Sequence, residues 1–247
     1  MKLNKIEPEF IVKSNPRIGL ITLGSDFRIE KDFNNIVYGK DIDLYVNRIH
    51  CYNPLTNEKL IKMADDITDV TKDILPDQKI DCVAYGCTSG TVAAGYDTIK
   101  SKVNLAKPES KVTTPITAAV KAINKLGIKK ISIFTPYTKT INDSVVKYFK
   151  DQNIIINSLT YFDIDSDLDI GKVDENYLFN VLSKIDLEDS DALFVSCTAL
   201  PVLSIIDKLE RKINKTVLSS NQTLIWDSLN QINYKKKIEG FGKLFNS

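Results

Sequence analysis

Histidine is almost missing from this chain: His50 is the only one among 247 residues. A Ser-His-Asp or Cys-His catalytic unit would have to be built on that single imidazole. His50 ends a strand-like run without a recognisable partner and reads as a partly buried structural residue. Zinc is equally poorly provided for, because Cys82 and Cys87 have neither ligand spacing nor histidine and aspartate company. No apolar stretch is long enough to span a bilayer. The opening Met1–Phe10 lacks the apolar core of a signal peptide. Neither charge dominates, with 33 Lys and Arg against 32 Asp and Glu. Without a basic patch or a basic amphipathic helix, nucleic acid and membrane are excluded as partners. There is no phosphate loop, and Gly240-Phe241-Gly242 has no helix after it, so no dinucleotide fingerprint exists. No cofactor and no metal are expected.

What is present is a regular alternation. Strand-like runs fall at Arg17–Leu23, Asp43–His50, Ile80–Gly86, Lys130–Thr135, Ile154–Tyr161, Ala192–Ser196 and Thr216–Leu218. Helical stretches lie between them, around Thr56–Ile74, Ser89–Lys102, Pro115–Leu126, Thr138–Lys150, Glu175–Ile185, Pro201–Lys212 and Gln222–Ile232. Such alternation implies right-handed crossovers and mainly parallel sheets. The length suits one large domain or two small ones, and 43% hydrophobic residues supply an ample core. Four cysteines without a secretory signal read as free thiols of a reducing, cytoplasmic compartment.

The order of elements repeats. Arg17–Leu23 and Lys130–Pro136 hold the same place in the two halves, and the offset between them nearly equals that between Cys87 and Cys197. Each cysteine follows an apolar run and precedes a threonine. A duplicated α/β unit explains both observations. In open α/β sheets ligands bind beyond the carboxyl ends of the strands, where both cysteines fall. A single buried cysteine is most simply a small hydrophobe; a matched pair points to one thiol working as thiolate and the other as thiol. A helix N-terminus after each cysteine would favour the thiolate. Thr88, Ser89 and Gly90, with Thr198 beside Cys197, offer hydroxyls and N–H groups for a carboxylate. Asp26 and Tyr137 follow the first strand and its repeat partner; helix capping and simple packing are their bland alternatives. Cys51 and Cys82 read as structural.

These motifs resemble the aspartate/glutamate racemase superfamily, most closely its maleate isomerase and arylmalonate decarboxylase branch. The matching segments are Tyr85–Gly90, Thr113–Pro115, Phe134–Tyr137, Ser196–Thr198, Ser219–Gln222 and Gly240–Leu244. The resemblance implies two pseudo-symmetric, doubly wound α/β domains with a cleft between them. Residues 1–113 with 220–247 would form one domain and residues 114–219 the other. It further implies Cys87 as nucleophile or first base, Cys197 as opposing acid, and a substrate held by Tyr137, Thr88, Ser89, Thr198 and Asp26. The expected activity is a cofactor-independent racemase or cis–trans isomerase of a small carboxylate, assembled as a homo-oligomer. A malonate-type decarboxylase using Cys197 as proton donor, or a catalytically silent ligand-binding relative, are the alternatives. Maleate isomerases carry asparagine where Asp26 stands, and their second asparagine would fall within Asp163–Asp167. An ionised Asp26 would repel a substrate carboxylate and favour an N–H group, as in the ectoine-utilisation A proteins, which the chain resembles in this respect.

Overall fold

The computed structural model describes every residue except 2, 12 and 13. Its first half runs β1 (Arg17–Leu23), α1 (Ile29–Val37), β2 (Asp43–Ile49), α2 (Asn57–Met63), α3 (Ile67–Lys72), β3 (Cys82–Gly86), α4 (Thr88–Ala94), α5 (Tyr96–Ala106) and β4 (Lys111–Thr113). The second continues with α6 (Pro115–Lys125), β5 (Lys130–Thr135), α7 (Lys139–Asp151), β6 (Ile155–Tyr161), α8 (Asp167–Gly171), α9 (Glu175–Leu182) and β7 (Ala192–Val195). It ends with α10 (Ile206–Ile213), β8 (Thr216–Ser219) and α11 (Ser220–Gln231).

Two four-stranded parallel sheets result, ordered β2-β1-β3-β4 and β6-β5-β7-β8. The two orders are the same topology, so the repeat seen in the sequence is a repeat of architecture. The inner strands are buried along nearly their whole length, as parallel strands must be when helices cover both faces. This is why Cys82–Gly86 and Ala192–Val195 read as continuous apolar runs rather than alternating ones. One apolar cluster takes in Val83 and Tyr85 of the first sheet and Phe134 and Leu193 of the second, which joins the halves. The last helix, α11, returns to pack on β3, β4 and α6. Among the described residues no helix is long and apolar enough to cross a membrane.

Four local features differ from the sequence expectations. Lys111–Thr113 is a short edge strand rather than a connection, too brief for its pattern to register. The stretch expected as one helix over Ser89–Lys102 is broken at Gly95, whose φ of +84° no helix accommodates. The helix after Cys197 begins only at Ile206, so residues 198–205 turn irregularly. Helix α8 was not anticipated, and α1 only as the helix that Asp26 would cap; both bear on the site.

Candidate active site

The carboxyl ends of the strands converge at one place. There β1 delivers Ser25 and Asp26, β2 Cys51, β3 Cys87, β5 Tyr137, β7 Cys197 and β8 Ser220. Cys87 caps α4 in extended conformation, and its sulfur accepts a hydrogen bond from the Gly90 N–H at 3.2 Å. Ser89 Oγ stands 3.9 Å from the same sulfur. Burial pushes the Cys87 thiol up to about 12, against the pull of the Gly90 N–H and the Ser89 hydroxyl. Gly90 is required by contact: a Cβ there would lie 2.8 Å from Cys87 Sγ and 2.9 Å from the Tyr85 hydroxyl oxygen.

Cys197 is held differently. The expected helix N-terminus is absent, and the residue adopts φ +97°, a conformation that costs a non-glycine residue about 1–3 kcal/mol. Its N–H donates to Ser220 Oγ at 3.0 Å. Ser220 in turn meets Thr88 Oγ1 at 2.9 Å, while Thr198 Oγ1 donates to the Gly86 carbonyl at 3.2 Å. Two crossing links therefore tie the Cys87 strand end to the Cys197 turn, and surrounding structure over-determines the strained backbone. Burial also raises the Cys197 thiol well above its ordinary value, opposed by the Ala199 N–H and the Tyr137 hydroxyl.

Each thiol has a fully buried phenol beside it. Tyr137 adjoins Cys197, and its hydroxyl lies 3.5 Å from Ser196 Oγ. Tyr85 adjoins Cys87, and its hydroxyl has no hydrogen-bond partner among the described residues. Tyr85 has the period-2 relation to Cys87 that puts both on one face, which is the signal that could have singled it out.

Asp26 combines both readings the sequence allowed. Its Oδ1 accepts from the N–H groups of Arg28 and Ile29 at 2.7 and 3.1 Å, so it does tie down the start of α1. Its Oδ2 is buried and meets no donor among the described residues. The Thr198 hydroxyl acts to lower the Asp26 carboxyl and also lies 3.2 Å from the Gly86 carbonyl. Desolvation raises the Asp26 carboxyl overall. Cys51 is half-buried beside Ser25, and burial pushes it up to about 11. Asp167, at the start of α8, is the acid that enters the site, 2% exposed and accepting from the Ser25 hydroxyl. Nothing local in the Asp-rich run 163–169 distinguishes it from its neighbours.

Loops of the two halves also bond to each other here. The Leu55 N–H donates to the Asp165 carbonyl at 2.7 Å, Asp167 N–H to Asn53 Oδ1 at 3.1 Å, and Arg28 to the Gly171 carbonyl at 2.9 and 3.1 Å. The thiols are correspondingly covered, at 3% and 6% exposure. No cluster of three or more His, Cys, Asp or Glu suited to a metal occurs among the described residues. An open cavity of about 630 Å³ near Lys107 and Ser110 lies at the opposite, amino ends of β3 and β4, away from this chemistry.

Comparison with known proteins agrees with this arrangement. A maleate isomerase of Geobacillus stearothermophilus is 27% identical over 201 residues, 78% of this chain and 79% of that one. An arylmalonate decarboxylase of Bordetella bronchiseptica is 24% identical over 137 residues, 54% and 57% of the two chains. A Nocardia farcinica maleate cis–trans isomerase, solved as a serine variant with a covalently bound succinylcysteine intermediate, superimposes with TM-score 0.86 at 19% identity. That superposition covers 94% of this chain and 98% of the other, so the fold is shared almost end to end. A family profile described as arylmalonate decarboxylase matches residues 55–245, a span that takes in Cys87, Tyr137 and Cys197, and the chain belongs to that family.

Proposed function

We propose that this protein is a cofactor-independent isomerase of a small carboxylate, with Cys87 and Cys197 as its reacting groups. The observation that carries the reading is the pair of buried thiols at matching strand ends, each with a phenol and the two linked through Ser220, Thr88 and Thr198. Sequence relatives named maleate isomerases, and the succinylcysteine of the Nocardia farcinica enzyme, support cis–trans isomerisation as the reaction.

Burial raises both thiols. Proton abstraction from carbon and addition to a double bond each need one of them as thiolate, and the succinylcysteine of the Nocardia farcinica enzyme is what supports addition. The Cys87 sulfur forms a bond to one alkene carbon while the other carbon gains a proton from Cys197, and the Cys87 proton passes to Cys197. Rotation about the new single bond and the reverse elimination give the other geometric isomer. Tyr137 hydrogen-bonds the substrate. Among the hydroxyls, Thr88 and Thr198 are engaged with Ser220 and Gly86, which leaves Ser89 to meet a carboxylate.

Serine at Cys87 should abolish turnover, and serine at Cys197 should leave an adduct that forms but does not resolve. Mass spectrometry after incubation with cis-unsaturated acids reads both results. Full activity in both variants sinks the two-thiol chemistry. Carbon dioxide release from a substituted malonate that survives loss of Cys87 but not of Cys197 would make decarboxylation the reaction instead.

A further inference from the structure

The strained turn at Cys197 is gripped by two consecutive residues of one helix. Ser220 and Asn221 open α11. Ser220 Oγ accepts from the Cys197 N–H at 3.0 Å, and Asn221 Nδ2 donates to the Thr198 carbonyl at 2.8 Å. The two bonds bracket the backbone of residues 197 and 198, so the φ of +97° lies between fixed points. That backbone carries the Cα–Cβ bond of Cys197 and therefore sets the direction of its thiol. The Ser220 bond alone fixes only one end of the span.

The Asn221 amide is itself held. Its other hydrogen goes to Asp32 Oδ2 at 2.7 Å. A backbone carbonyl can only accept, so the Thr198 bond fixes the amide with its nitrogen inward whether Asp32 is ionised or neutral. Asn221 Oδ1 is then left without a donor, although it is buried. A buried acceptor left open costs free energy, and a side chain serving packing alone carries no such cost. What the amide contributes is its two hydrogens, one for Asp32 and one for the Cys197 turn.

Asp32 belongs to the first half of the chain. It lies buried on α1, the helix whose start Asp26 ties down. The bonds therefore run from α1 through α11 to the turn that bears the thiol of the second half. Thr198 adds a further tie between the halves, from its hydroxyl to the Gly86 carbonyl. A backbone conformation that is costly by itself persists where the surroundings over-determine it in this way.

We propose that Asn221, oriented by Asp32, is a positioning residue for Cys197: it holds the turn at positive φ and thereby aims the thiol at the reacting carbon. The inference rests on the two-thiol reading for what that thiol does, and not for how it is held. Without the Asn221 hydrogens the turn loses an anchor and relaxes toward negative φ, which swings the sulfur away. A misplacement of about 1 Å in a reacting group costs on the order of a hundredfold in rate.

The test uses Asn221→Leu, which keeps the size of the side chain and removes both hydrogens, with two substitutions of its partner. Asp32→Asn keeps an acceptor for Asn221, and Asp32→Leu removes it. Iodoacetamide labelling without ligand, mapped by peptide in the Cys87→Ser background, compares Cys197 with Cys82. Cys82 is 0% exposed inside β3 and reports opening of the whole fold. The ratio of Cys197 to Cys82 labelling should rise about fivefold or more in Asn221→Leu and in Asp32→Leu, and stay unchanged in Asp32→Asn. With Cys87 intact and maleate as substrate, Asn221→Leu should lower kcat about tenfold or more at little-changed KM, and a Cys87 adduct should accumulate. A merely structural bond would raise the labelling of both cysteines together, and a constant ratio overturns the proposal. So does an equal rise in Asp32→Asn and Asp32→Leu, or an undiminished kcat in Asn221→Leu. Should Asn221→Leu fail to fold, the same ratio in the two Asp32 variants decides. A ratio that rises as expected while even the unsubstituted protein leaves maleate unreacted keeps the holding of the turn by Asn221 and counts against the two-thiol chemistry.

Discussion

Cys197 illustrates how one residue can be expensive to the fold and indispensable to the site. Its φ of +97° belongs to glycine, yet a thiol is placed there. Cys197→Gly should therefore be more stable than Cys197→Ala by about 1 kcal/mol, because both lose the buried thiol and only glycine relieves the backbone, while turnover is lost in both. Urea melts of the two variants read the difference, and an alanine variant as stable as the glycine one would show that the backbone is not strained. Gly90 presents the converse case. Its missing Cβ leaves room for both Cys87 Sγ and the Tyr85 hydroxyl, so Gly90→Ala should displace the thiol and lower turnover far more than it lowers the melting temperature.

At the scale of elements, α11 connects the two halves of the chemistry. It starts with a capping box, in which Ser219 Oγ accepts from the Gln222 N–H at 3.2 Å and Gln222 Oε1 accepts from the Ser219 N–H. Ser220, the first helical residue, then holds both Thr88 and the Cys197 N–H. Ser219→Ala should cost about 1 kcal/mol of stability through loss of the cap. Because the cap sets the position of Ser220, turnover should fall more steeply than stability does; an unchanged kcat would mean that Ser220 is positioned independently of the helix start. Elements with long buried runs were legible beforehand, and β1 and β5 fall at the residues read for them. The three-residue β4 and the five-residue α8 were not, since neither is long enough for a period to emerge.

For the whole molecule, the buried acids set a dependence of stability on pH. Burial raises Asp32 to about 7 and Asp167 to about 6, both from an ordinary 3.8. A carboxyl raised on folding favours the folded state fully below its unfolded value, and that contribution is lost as pH climbs through the folded value. Asp32→Asn is neutral throughout, so its stability relative to the unsubstituted protein should grow between about pH 4 and about pH 7, by up to ~4 kcal/mol. Urea midpoints for the two proteins across that range check the sign. A difference that shrinks with rising pH would mean that Asp32 is stabilised as a carboxylate by Asn221 more than burial penalises it.

The sequence by itself determined the class of fold, the duplication and the paired thiols. These depend on apolar runs, on alternation and on order along the chain, all of which are local quantities. It also marked Asp26 as a departure, although not which of its oxygens would be free. Only the tertiary structure decided which acid of the 163–169 run is buried against Ser25, that Cys51 lies beside the same serine, and that Cys197 stands on a strained turn instead of a helix start. Those outcomes depend on burial and on contacts between residues far apart in the chain, such as Ser25 with Asp167 and Thr88 with Ser220. Spacing along a sequence carries no record of such contacts, because they form only when the two sheets pack and bring their strand ends together.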